Sequence, residues 1–264
     1  MLAASLPNIV YARNIFPTDE MKDIPAKIFD RYPAIDEAVS SEVVGVAHFD
    51  LDRLKKLVDS RPELAKACWD WGFGDWETAI GAASHVARRD ILAYLLEKGA
   101  RPDIFTFAMM GSYHVIRLMI EQLPGIQRTP GPHGISLLQH VKNGMQAENG
   151  KTPEAEKLLD YLVSLGDSDA PKYQDVADAD KQKYLGDFKY GDGPLEGFSV
   201  KLNLRKLLTL GKIGKFGGAL YKIDDNRFTY NGAPSVFISF HFENDKIVSL
   251  TVTEPGLVLT ARKI

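Results

Sequence analysis

A chain of 264 residues, 45% hydrophobic and 25% charged, is long enough for two folded domains and carries no compositional bias toward disorder. Its 32 basic and 35 acidic residues leave a net charge of −3, so no bulk positive field draws it to nucleic acid or to an anionic membrane. The single cysteine, Cys68, excludes an internal disulfide, which fits a reducing compartment and equally a disulfide-free exported protein.

The opening MLAASLPNIVYARN lacks the basic n-region and long apolar run of a secretory leader. No later stretch approaches the ~20 apolar residues of a membrane helix. The expectation is a cytoplasmic protein, with export left open because LAAS resembles the stub of a trimmed leader. Residues 1–42 carry helix-start signals at Thr18-Asp19-Glu20 and interrupting prolines at Pro25 and Pro33, and read as an N-terminal capping segment.

Residues 43–168 are helical in pattern, with apolar residues at spacings of three and four in LDRLKKLV, DILAYLLEKG, HVIRLMIEQL and EKLLDYLVSLG. The segment TAIGAASHVARRDILAYLLEKGARPD, Thr78 to Asp103, resembles an ankyrin repeat over its whole length. Thr78 stands at the family's capping Thr, Ile80, Ala83, Ile91, Leu92, Leu95 and Leu96 at its apolar positions, and Gly99-Ala100 at its closing Gly-Ala. Each position makes physical sense: Thr accepts a free helix N–H, small Ala79, Ala82 and Ala83 allow close helix stacking, and Gly99 supplies a left-handed cap. The family's Pro and His are replaced by Ala79 and Gly81. Weaker copies flank this repeat at irregular spacing, against a usual period of about 33, and four degenerate repeats are expected.

Residues 169–183, within GDSDAPKYQDVADADKQ, read as an acidic linker. Residues 184–264 alternate in the manner of strands, expected near 184–190, 197–203, 214–223, 226–230, 235–242, 246–253 and 257–263. VFISFHF places Val236, Ile238, Phe240 and Phe242 on one face, and His241 on the other, facing either solvent or a barrel interior. An antiparallel meander closing into a small barrel or half-barrel follows. On YLGDFKY and NDKIVSLTVTEPGLVLTARKI, this half resembles the small, loosely lipocalin-like domain at the C-terminus of β-lactamase-like bacterial proteins. The fold class expected is therefore α+β in two domains, an ankyrin-type solenoid followed by a β meander or half-barrel.

Chemistry-bearing motifs are missing. There is no Gly-x-Ser-x-Gly, His-Glu-x-x-His, Cys-x-x-Cys or EF-hand loop, and GKIGKFGG lacks the Ser or Thr that a phosphate loop needs after its Gly-Lys. The six histidines, His48, His85, His114, His133, His140 and His241, are scattered without metal-ligand spacing, so no metal and no cofactor are expected.

The ankyrin resemblance implies targets on the concave surface, formed by inter-repeat fingers and first helices. Those fingers map to Trp69–Trp76, Arg101–Phe105 and QRTPGPHGIS at 127–136. The candidate binding residues are Trp71, Phe73, Asp75, Trp76, Glu77, His85, Arg101, Phe105, Arg128 and His133, since aromatic and Arg side chains carry most interface hot spots. Trp69 and Trp76 serve equally well as seals between unequal repeats. Three readings stand: a non-enzymatic module binding a protein or peptide; a protein binding a small apolar ligand in the aromatic finger or the β-domain lumen; and a β domain that only caps the solenoid or mediates dimerisation.

Overall fold

A computed structural model describes residues 31–203 and 205–264; Thr18, Pro25 and most of the expected capping segment lie outside them. The described residues divide into two compact units, one of 31–69 plus Glu77–Asp169, the other of Asp70–Trp76 plus Ala170–Ile264.

The helical unit contains α1 (Glu37–Val46), α2 (Leu51–Ser60), α3 (Ala79–His85), α4 (Arg89–Glu97), α5 (Ile104–Met110), α6 (Tyr113–Gln122), α7 (Leu137–Gln146) and α8 (Pro153–Leu165). Short turns join them in four successive pairs. The starts follow from capping chemistry: Asp36, Asp50, Thr78, Asp103, Ser136 and Thr152 each accept a backbone N–H of the first turn, and Asp103 with Thr106 forms a capping box. Gly111 and Gly166 close α5 and α8 in the left-handed conformation.

Every residue of α3 is buried, which is why its sequence AIGAASH is built almost wholly from small side chains. Its cap bond, from Gly81 N to Thr78 Oγ1, is 3.0 Å. Thr78→Ala should lower stability by about 1 kcal/mol, read as a fall in Tm of roughly 2–4 °C. An unchanged Tm would show that α3 is held by packing alone.

Helices α5 and α7 cross at Gly144. A Cβ there would meet the Met109 carbonyl carbon at 2.7 Å. Arg89 reaches the same crossing, donating from Nη2 to Met109 O at 3.2 Å and Gly144 O at 3.4 Å, a cation placed on two helix C-terminal ends.

The second unit is a closed antiparallel barrel of eight strands, β3 (Gly186–Lys189), β4 (Gly197–Leu202), β5 (Leu208–Lys212), β6 (Gly217–Asp224), β7 (Arg227–Tyr230), β8 (Phe237–Glu243), β9 (Lys246–Glu254) and β10 (Leu257–Lys263), with β10 paired to β3 to complete the ring. This corrects the half-barrel expectation: closure leaves no edge strand with unpaired backbone groups. It also supplies a strand absent from the pattern, Leu208–Lys212.

The alternation in VFISFHF holds through Phe240, then breaks at a bulge between His241 and Phe242. His241 is outside, its Nε2 2.8 Å from Thr251 Oγ1. The interior is filled by rings. Tyr184 and Phe228 stand 5.2 Å apart between centroids, Tyr184 and Phe240 4.9 Å, Phe228 and Phe240 5.5 Å, all edge to face. The linker is not a free tether, since Gln174 forms a β-bridge with Lys222 and a short helix, α9, spans Asp178–Lys181.

Strands β1 (Cys68–Asp70) and β2 (Trp76–Thr78) form a separate hairpin whose tip belongs to the barrel unit. Asp70 accepts the N–H groups of Gly72 and Gly74, and Gly72 and Phe73 take positive φ to make the turn. Among the described residues no helix is long and apolar enough to cross a membrane.

Candidate metal centre

Four side chains from four different segments of the helical unit converge: His48, Glu77, His85 and His133, each offering one ligand atom, all within 4.8 Å of one another. His48 Nε2 lies 3.4 Å from Glu77 Oε2, His85 Nδ1 2.9 Å from Oε1, and His133 Nε2 3.5 Å from Oε1. Ligand atoms ~2.0–2.1 Å from a shared ion are themselves roughly 2.9–3.4 Å apart, close to the three separations at Glu77, while the set as a whole spans up to 4.8 Å and would draw in around an ion.

Local structure explains each placement. His48 occupies the turn between α1 and α2, where the last carbonyls of α1 have no helical partner. Its Nδ1 is 3.0 Å from both Val44 O and Gly45 O. A carbonyl can only accept, so the proton sits on Nδ1 and the lone pair on Nε2 faces the carboxylate. Glu77 is the middle residue of β2, where strand alternation turns Trp76 outward and Glu77 inward. His85 ends α3, its carbonyl held by Asn143 Nδ2 of α7 at 2.7 Å. His133 is the centre of a turn, Pro132–Gly134, with φ of 59°, a left-handed conformation uncommon outside glycine. Gly81 keeps room for the α3 cap, since a Cβ there would crowd Thr78 Oγ1 at 3.1 Å, and Pro132 packs beside it at an ordinary 3.7 Å.

The electrostatics favour a cation. Burial pushes His48 down to about 4, against the pull of Glu77, and burial likewise lowers His85. For Glu77, burial pushes upward, but the imidazoles of His133, His48 and His85 outweigh it and hold the carboxyl well below its ordinary range. At neutral pH the cluster is thus an anionic carboxylate with neutral imidazoles at His48 and His85. His48 Nε2 and Glu77 Oε2 lie 3.4 Å apart, within reach of one shared ion.

The pH dependence has a definite sign. Between pH 6.5 and about 4 the unfolded chain protonates His48 while the folded one resists, so the unfolded state binds more protons. Stability of the metal-free protein should therefore fall as pH drops through that window, by on the order of 3 kcal/mol. Urea midpoints at pH 7, 5.5 and 4 measure it, and flat midpoints would contradict the buried neutral imidazole.

The histidines are therefore not scattered: three of the six meet at one carboxylate. Of the candidate binding residues, Glu77, His85 and His133 are brought together, and His48 joins them unforeseen. The remainder do not form one set. Within the barrel unit, Tyr230 donates to Trp71 O, Phe73 packs edge to face on Tyr230 at 4.9 Å, and Asp75 accepts from Asn231 at 2.6 Å. Trp76 is 63% exposed. Within the helical unit, Arg101 is exposed, Arg128 pairs with Asp167 at 2.9 Å, and Phe105 is buried against His140. No protein-family model matches this chain, and no curated protein matches its sequence.

Proposed function

We propose that the helical unit binds one divalent transition-metal ion through His48, Glu77, His85 and His133. The convergence of three imidazoles and one carboxylate, each offering a ligand atom and all within 4.8 Å of one another, carries this reading. Three imidazoles with one carboxylate suit Zn(II), Co(II), Ni(II), Cu(II) or Fe(II) over Mg(II) and Ca(II), which take oxygen ligands. The Nδ1 bonds of His48 are the outer-shell contacts that fix a ligand's tautomer. Protein stripped with chelator and reloaded with Co(II) should bind one ion per chain and develop visible absorption bands. Less than a tenth of an equivalent would end the proposal.

A second reading keeps the helical unit as an ankyrin-type stack that binds a protein partner. It is supported by the four successive helix pairs and by exposed apolar side chains, Val115, Leu118 and Leu123 at α6 and Val163 on α8. If this face is an interface, Leu118→Glu with Val163→Glu should abolish partner capture without changing Tm. Capture equal to wild type would remove the face from consideration. The small-ligand reading gains nothing from the barrel, whose centre is occupied by its own rings.

A further inference from the structure

A second site opens in the wall of the barrel unit, apart from its ring-filled centre. Strands β5 and β6 pair only from Gly211↔Gly217 to Thr209↔Ala219. Beyond that, β6 runs on through Leu220 to Asp224, held along its other edge by β7. On the edge that β5 gives up, the linker steps in. Gln174 donates from its backbone N–H to Lys222 O at 3.0 Å and from Nε2 to Ile223 O at 3.3 Å. A single bridge does not fill the slot between two diverging strands, and a cavity of about 250 Å³ remains, the room of roughly eight water molecules.

Its lining combines three chemistries. Leu207, Leu208 and Leu220 supply apolar surface. Tyr173 of the linker and Tyr221 of β6 stack nearly parallel, with centroids 4.7 Å apart and planes 18° from each other. Burial raises both phenols above their usual value, so each keeps its proton and remains a donor. Lys181 supplies positive charge: its side chain is only 14% exposed, and its partner Asp178, at 2.8 Å, is shared with Lys206 at 3.9 Å. Two cations thus answer to one carboxylate, and two of the three ammonium donors of Lys181 are left for another acceptor. The acidic residue of the lining, Asp175, is exposed.

We propose that this cavity binds a small aromatic carboxylate, its ring against the leucines and the tyrosine pair and its carboxylate on Lys181. The volume admits one ring with a short substituent. An apolar plane suits the leucine and tyrosine walls, and a carboxylate beside a largely buried ammonium forms a charge-assisted hydrogen bond. A sugar of the same size would set hydroxyls against the leucines without partners.

Benzoate, with benzamide as its neutral counterpart of the same shape, tests this by calorimetry on the full chain, stripped of metal so that no ion takes the carboxylate. Benzoate should bind one per chain with a Kd near ~1 mM, and benzamide at least about tenfold more weakly. Lys181→Met, which keeps the stem and removes the charge, should weaken benzoate at least about tenfold and leave benzamide unchanged, the latter showing that the cavity is intact. Tyr221→Leu should weaken both probes. Failure of benzoate to saturate by about 10 mM would overturn the site. Equal affinity of wild type for the two probes would overturn the anionic ligand whether or not a variant folds, and unchanged benzoate binding by Lys181→Met would overturn the role of Lys181.

Discussion

Glu77→Gln should abolish metal binding, weakening the affinity at least about 100-fold, while leaving the metal-free protein nearly as stable as wild type. The two halves of the expectation have separate causes. An ion held by three neutral imidazoles and a neutral amide loses its one anionic ligand, in a pocket where burial magnifies every charge. The amide is nearly the same shape as the carboxylate, and its NH2 can donate to the lone pair of His48 Nε2, which the carboxylate cannot. Thermal denaturation separates the effects. At metal concentrations ~100 times Kd, wild type should gain about 2.7 kcal/mol and roughly 5–10 °C in Tm. The Glu77→Gln protein should show no metal-dependent shift. If it bound the ion as tightly as wild type, the carboxylate would not be a ligand. If it unfolded without metal, Glu77 would be a structural residue first.

Gly144→Ala should destabilise the helical unit by about 3 kcal/mol or more, one of the largest effects of any single methyl group in this protein. The added Cβ overlaps the Met109 carbonyl, a backbone atom on α5 that cannot turn aside as a side chain would. That carbonyl is also the acceptor for Arg89, so displacing it disturbs both helix ends at once. The effect should reach the metal centre, because α7 holds His85 through Asn143. Gly99→Ala is the matched control: Gly99 has φ of +85° but open space around a Cβ, so only the left-handed backbone cost, roughly 1–2 kcal/mol, applies. Denaturation midpoints for the two variants compare contact with conformation. Equal losses would mean that α5 and α7 do not cross as closely as described.

Much of the fold was legible because its causes are local. Thr78 announces its helix by capping chemistry, the apolar spacings of three and four announce the helices around it, and small residues in AIGAASH announce close helix stacking. Period-two alternation from Val236 to Phe240 sorts β8 into two faces, and the closed barrel decides that the apolar one is inside. Strand β5 is not legible in the sequence because LTLGK is short and precedes a glycine-rich turn, and its existence depends on the pairing partners on either side. Closure of the barrel is likewise a long-range event, the pairing of its last strand with its first.

The candidate site shows the same division. By itself the sequence determined that Thr78 caps a helix of small residues containing His85 and that His133 sits in a loop punctuated by proline and glycine; that Glu77 turns inward from an outward Trp76 came with strand β2. It carried no sign that these residues, with His48, share one point in space. Ligand spacing is readable only where one helix turn or one hairpin presents two ligands, and here every ligand comes from a different segment. The tertiary structure brought them together by packing α1, α3, α7 and the loop before α7 around a few glycines and alanines. It also decided their chemistry, since burial keeps His48 neutral and a pair of helix-end carbonyls chooses which of its nitrogens faces the carboxylate.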